Sequence, residues 1–136
     1  MDIELLTIEQ VAERTGLSAH TLRYYERIGL LDPIGRAASG HRRYAEKDLA
    51  WLEFLTRLRA TGMPIHQMQE FAALRRRGDA TLTERRMLLE AHQQAVQSHI
   101  AELQRNLGTI EQKIAHYEQL EAHYEQHIRD DVYTNS

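Results

Sequence analysis

The stretch that most constrains this chain lies in its second half. From Leu82 to Ile128 there is no proline, and Gly108 is the single glycine. Apolar residues recur there with a heptad period. One seam position takes Leu89, Val96, Leu103, Ile110, Tyr117 and Tyr124; the other takes Gln93, Ile100, Leu107, Ile114, Glu121 and Ile128. Alternating steps of three and four hold an apolar seam on one side of a helix, the requirement for a coiled coil. A helix of about 40 residues is about 60 Å long. A stripe of that length cannot be buried against a small domain of the same chain. It requires a partner helix, most simply from a second copy, with Leu89, Val96, Ile100, Leu103, Leu107, Ile110, Ile114 and Tyr117 at a dimer interface. Gln93 and Glu121 weaken the seam, and Gly108 beside it costs about 1 kcal/mol of helix propensity.

The first half reads as short elements. Thr7 and Gln10 form a capping box for a first helix, with Ile8, Val11 and Ala12 on its inner stripe. Gly16 stops that helix, Leu17 plugs the core under the turn, and Ser18 caps the next one. Two short helices across a tight glycine turn are the signature of a helix-turn-helix. On the second helix Leu22 and Ile28 face inward with part of Tyr25, whose hydroxyl is left to reach a phosphate. His20, Thr21, Arg23, Tyr24 and Arg27 face solvent, and Gly29 ends the helix. Pro33 blocks further helix. Residues 34–36 and 41–44 then flank a four-residue turn, a small β-hairpin or wing whose Arg36, His41, Arg42 and Arg43 can neutralise backbone phosphates. A solvated basic loop is the plainer alternative.

A third helix from Glu46 to Thr61 carries Leu49, Leu52, Leu55 and Leu58 with Trp51 and Phe54, although Ala45 is a poor cap. Gly62 ends it, and Pro64 opens a fourth helix from Ile65 to about Arg77 with Ile65, Met68, Phe71 and Ala72 inward. Arg75, Arg76 and Arg77 sit where cations complement a helix C-terminus. Thr81 and Glu84 form a capping box for the long helix. The boundaries are a DNA-binding domain over residues 1–78, a coiled-coil helix over 79–128 and a polar tail over 129–136.

Charge and composition narrow the function classes. Residues 1–78 hold 12 Lys+Arg against 10 Asp+Glu, and residues 79–136 hold 5 against 10. The net −3 of the chain therefore hides a basic first half, and local clustering governs phosphate binding. With no cysteine, disulfides, thiolate metal sites and cysteine redox chemistry are excluded. No signal peptide and no membrane-spanning run are expected, which fits a cytoplasmic protein. Among eight histidines, His123 and His127 are four apart on one helical face and could hold Zn²⁺ or Ni²⁺ with Glu121 or Asp130. Solvated helix histidines are far commoner, so no metal and no cofactor are assigned. No nucleophile–base pattern, phosphate loop or HExxH occurs, and no enzyme is expected. A coiled-coil adaptor whose winged domain binds protein is the alternative, motivated by the acidic second half.

These residues together resemble the MerR family of bacterial transcription regulators. The resemblance rests on Leu6–Thr7–Ile8 with Val11–Ala12, Thr15–Gly16–Leu17–Ser18, Thr21–Leu22–Arg23–Tyr24–Tyr25–Glu26, Gly29–Leu30–Leu31, Arg42–Arg43–Tyr44, Asp48–Leu49 and Gly62–Met63–Pro64–Ile65, spanning residues 5 to about 120. It implies a mainly α fold: a winged helix-turn-helix, a second helical wing and an antiparallel coiled coil between two subunits. It also implies binding to a near-palindromic promoter operator in double-stranded DNA, which the dimer bends and untwists so that RNA polymerase can use an over-long spacer. By the same resemblance Arg23 and Tyr24 carry base or groove contacts, Tyr25, Arg36, Arg42 and Arg43 hold phosphates, and Arg59 helps distort the operator centre. Metal-sensing and nitrosative-stress members use cysteines that this chain lacks, and multidrug-sensing members append a large C-terminal domain for which no room is expected. The effector, and the choice between activator and repressor, stay open.

Overall fold

The computed structural model describes residues 5–32 and 43–134. The chain divides into two compact units, residues 1–93 and residues 94–136.

In the first unit, strand β1 (Leu6–Thr7) leads directly into α1 (Ile8–Thr15), followed by α2 (Ala19–Arg27), strand β2 (Arg43–Tyr44), α3 (Glu46–Ala60), α4 (Ile65–Arg76) and a 3-10 turn at Asp79–Thr81. The long helix α5 (Leu82–Thr134) starts here. The starts follow the sequence chemistry. The Thr7 hydroxyl accepts the Gln10 N–H at 3.2 Å while the Gln10 side chain accepts the Thr7 N–H at 2.8 Å. Ser18 accepts the Thr21 N–H at 3.0 Å. Asp48 rescues the weak cap of α3, its carboxylate accepting the Ala45 N–H at 2.8 Å. Each satisfies a donor that the first helical turn leaves without a partner.

The helix-turn-helix forms as read. Gly16 closes α1 at φ 74°. Gly29 closes α2 at φ 85°, where Leu30 N–H reaches Tyr25 O at 2.9 Å and Gly29 N–H reaches Glu26 O at 3.3 Å, the paired bonds of a Schellman ending. The core lies under this unit. Val11, Leu22, Tyr25, Leu30, Leu52, Leu55 and Met68 are fully buried, and Ala12, Leu17 and Ile28 pack on its edge. Trp51 stacks on Phe71 at 5.7 Å between ring centroids and ties α3 to α4.

One expectation is corrected and two are extended by contacts the sequence did not reveal. Arg43–Tyr44, read as one arm of a local hairpin, pairs as β2 antiparallel with β1, Leu6 opposite Tyr44 and Thr7 opposite Arg43. Whether residues 34–36 also pair lies outside the described residues. Thr81 does not cap α5: it is buried, and its hydroxyl donates backward toward Leu74 O at 2.6 Å and Gly78 O at 2.9 Å, satisfying the end of α4. Leu89 is already half-buried against the core of its own domain, so the exposed apolar stripe begins beyond it.

The second unit is the remainder of α5. The helix continues to Thr134, through most of the expected polar tail. Ile100, Leu103, Leu107, Ile110, Ile114, Tyr117, Leu120, Tyr124, Ile128, Val132 and Tyr133 are exposed along it. Among the described residues no helix is long and apolar enough to cross a membrane.

Candidate nucleic-acid interface

Helical geometry sorts the side chains of α2. Leu22 and Tyr25, three apart, share the buried face, and the residues between and beside them turn outward. His20, Arg23, Tyr24 and Arg27 are exposed, and Thr21 is half-buried with its hydroxyl 2.9 Å from that of Ser18. The Arg27 guanidinium lies 5.5 Å from the Tyr24 ring centroid. One short helix thus presents two cations, an imidazole and a phenol on a single face, a set able to contact phosphates and base edges.

Tyr25 differs from its expected double role. It is 0% exposed, and its hydroxyl accepts a hydrogen bond from Arg59 Nη1 at 3.0 Å. It offers no surface to a phosphate, and its hydroxyl is engaged by Arg59. Arg59 sits in the last turn of α3 and is exposed. The hydrogen bond to Tyr25, then the fields of the Tyr25 and Tyr24 phenols, hold its guanidinium above the ordinary value, against desolvation. Tyr24, Tyr25, Arg27 and Arg59 thereby form one aromatic and cationic group, with Arg23 and His20 on the same helix.

Arg36, His41 and Arg42 lie outside the described residues. Arg43 is placed through its backbone, in β2. The arginines closing α4 do more than complement its dipole. Arg75 stacks over Trp51, 4.3 Å from the ring centroid. Arg76 Nε pairs with Asp32 Oδ1 at 2.7 Å, and its Nη2 donates to the Gly29 and Leu31 carbonyls. Sequence reasoning also missed Gln69, whose Nε2 donates to Ile28 O at 2.9 Å, and the indole of Trp51, whose Nε1 donates to Leu30 O at 2.7 Å. The signal in principle was chemical: a buried indole N–H needs an acceptor. Nothing in the sequence said which one.

Of the expected interface seam, Val96 is half-buried and Ile100, Leu103, Leu107, Ile110, Ile114 and Tyr117 are about half exposed, each on α5. His127 Nε2 lies 3.6 Å from Asp131 Oδ2, and among the described residues no group of three or more His, Asp or Glu is placed to hold a metal ion.

Comparison with known proteins gives the same outline. Residues 6–74 match the family described as MerR HTH family regulatory protein, and residues 49–113 match the one described as MerR, DNA binding. The transcriptional regulator AdhR of Bacillus subtilis is 43% identical over 89 residues, covering 65% of this chain and 64% of AdhR, just under two thirds of that protein's length. An uncharacterised HTH-type regulator of Haemophilus influenzae is 42% identical over 91 residues, covering 67% of each chain. Among solved structures, HiNmlR, described as a MerR family regulator lacking the sensor domain and bound to promoter DNA, is 41% identical with a TM-score of 0.79, covering 88% of this chain and 94% of that one. A MerR family regulator from Listeria monocytogenes is 34% identical with a TM-score of 0.88, covering 96% and 99%.

Proposed function

The chain belongs to the MerR family of helix-turn-helix transcriptional regulators, which are not enzymes, and from that premise we propose that it acts as a homodimer which binds a promoter operator and reshapes it. The observation that carries this reading is the outward face of α2, where His20, Arg23, Tyr24 and Arg27 stand beside Arg59. Arg23 and Tyr24 enter the groove, Arg27, Arg36, His41, Arg42 and Arg43 engage phosphates, and Arg59, braced by Tyr25, presses on the operator centre. Deformation of the spacer is read as energy rather than as chemistry. The apolar residues of α5 from Val96 to Tyr117 meet a second copy, so two α2 helices address successive major grooves. HiNmlR, which shares most of this chain's length, is itself bound to promoter DNA, and that likeness supports the partner assignment.

Selection from random duplexes supplies the operator, and binding to it is then measured by titration. Arg23→Ala should weaken operator binding by about 1–3 kcal/mol if Arg23 reads a base. Operator affinity left unchanged by Arg23→Ala and Arg42→Ala together would overturn the assignment. Bending and untwisting are read by the phase-dependent migration of operator fragments, and an operator left straight by saturating protein would remove that part.

A further inference from the structure

The turn that leaves α2 is held by side chains from elsewhere. Four successive carbonyls, those of Ile28, Gly29, Leu30 and Leu31, accept from three of them. Gln69 of α4 donates to Ile28 O at 2.9 Å. Arg76 of α4 donates through Nη2 to Gly29 O and, at 3.5 Å, to Leu31 O. Trp51 of α3 donates to Leu30 O at 2.7 Å. Arg76 Nε meanwhile holds the Asp32 carboxylate at 2.7 Å. A helix C-terminus carries partial negative charge on its free carbonyls, so a cation is favoured there. The planar guanidinium meets the carboxylate with Nε and the two carbonyls with Nη2, separate nitrogens in fixed geometry, whereas an ammonium offers all its donors from one point.

The location of this clasp gives it a consequence. Upstream of it, α2 is nine residues long and presents His20, Arg23, Tyr24 and Arg27. Downstream, Asp32 is followed by the segment that carries Arg36, His41 and Arg42. The apolar contacts of Leu22 and Tyr25 bury α2, but burial is non-directional and allows small rotations. Hydrogen bonds are directional and weaken steeply when bent. A recognition surface must be held to within about 0.5 Å by supporting groups.

We infer that Arg76, with Gln69, is a positioning residue for DNA recognition: from α4 it fixes the angle of α2 and the departure of the following segment, without touching DNA. This rests on the DNA-binding function proposed above. The inference separates Arg76 from the phosphate-binding arginines, because it assigns the geometry of the guanidinium and not its charge.

The test compares the full chain with its Arg76→Lys and Gln69→Met variants on the selected operator duplex and on a scrambled duplex of equal length, at one salt concentration. Arg76→Lys keeps the charge, so its affinity for the scrambled duplex should stay within about twofold. Its operator affinity should fall about tenfold, because lysine cannot reproduce the fork. Gln69→Met, which removes a neutral donor at nearly constant volume, should shift the same ratio in the same direction by a smaller factor. An Arg76→Lys variant that keeps operator affinity, or that loses equally on both duplexes, overturns the inference. Should Arg76→Lys fail to fold, Gln69→Met decides: unchanged discrimination overturns the inference, and lost discrimination supports it. A wild-type chain that does not discriminate overturns the proposed function and this inference together, whereas a discriminating wild type beside unchanged variants overturns this inference alone.

Discussion

Tyr25 and Arg59 are 34 residues apart in the chain and 3.0 Å apart in the fold. The sequence made Tyr25 ambiguous between packing and phosphate contact, since its helical position pointed inward while its hydroxyl could reach out. The fold removes the ambiguity by supplying a donor that no local pattern could reveal. The pairing also fixes a pH dependence. The folded chain raises the guanidinium value of Arg59 above its ordinary one. A raised value means that the stabilisation is fully present below the unfolded guanidinium value and is lost only as pH rises through the folded one. Both lie far above the working range of DNA-binding assays. The operator affinity lost in Arg59→Ala should therefore be the same at about pH 6.5 and about pH 8.5. Parallel binding titrations at the two values check this, and a loss that halves at the higher pH would contradict it. Tyr25→Phe should leave the chain folded and its scrambled-duplex affinity unchanged while reducing operator distortion, as read by the fluorescence of 2-aminopurine at the operator centre.

At the scale of the element, the legible signals were those with a local cause. Thr7 with Gln10, Ser18, Gly29, Gly62 and Pro64 set the ends of α1 to α4 to within a residue or so, because capping and glycine closure depend on neighbours three or four positions away. The misses have non-local causes. Strand β1 is two residues long and exists only because Tyr44 and Arg43 arrive beside it. Thr81 has the spacing of a capping box, yet its hydroxyl satisfies carbonyls at the end of α4. The clasp around residues 28–32 likewise depends on α3 and α4. Trp51 tests its energetic share. The indole N–H meets the carbonyl of fully buried Leu30, and Trp51→Phe keeps an aromatic ring while leaving that carbonyl without its donor. Such a loss costs about 1–3 kcal/mol, with part of the Phe71 stacking also weakened. The midpoint of urea unfolding should fall accordingly at unchanged slope. A midpoint equal to that of the wild type would mean that another donor or water replaces the indole.

At the scale of the whole molecule the long helix decides whether one reading head becomes two. Strict heptad stepping runs the seam through Tyr117, Glu121, Tyr124 and Ile128 and buries a carboxylate. The helix also carries Leu120, 47% exposed, which steps three from Tyr117 and four to Tyr124, and Tyr124, Ile128 and Val132 then follow at fours. Both routes advance eleven residues in three steps from Tyr117 to Ile128, so they share one average period and differ only in whether Leu120 or Glu121 faces the partner. The apolar route avoids taking a charge out of water, so Leu120 is the expected seam residue and Glu121 the flank. Two substitutions separate the routes under the homodimer proposal. Leu120→Glu should weaken the dimer and Glu121→Leu should leave it nearly unchanged; the opposite order would restore the strict heptad. Leu103→Glu with Ile110→Glu tests the partner itself, because in a symmetric pair each change occurs twice. That variant should sediment as a monomer at concentrations where the wild type is a dimer. Its operator affinity should fall at least about 100-fold as the two heads lose their linkage. A double variant that still sediments as a dimer would place the second copy on another face of the molecule.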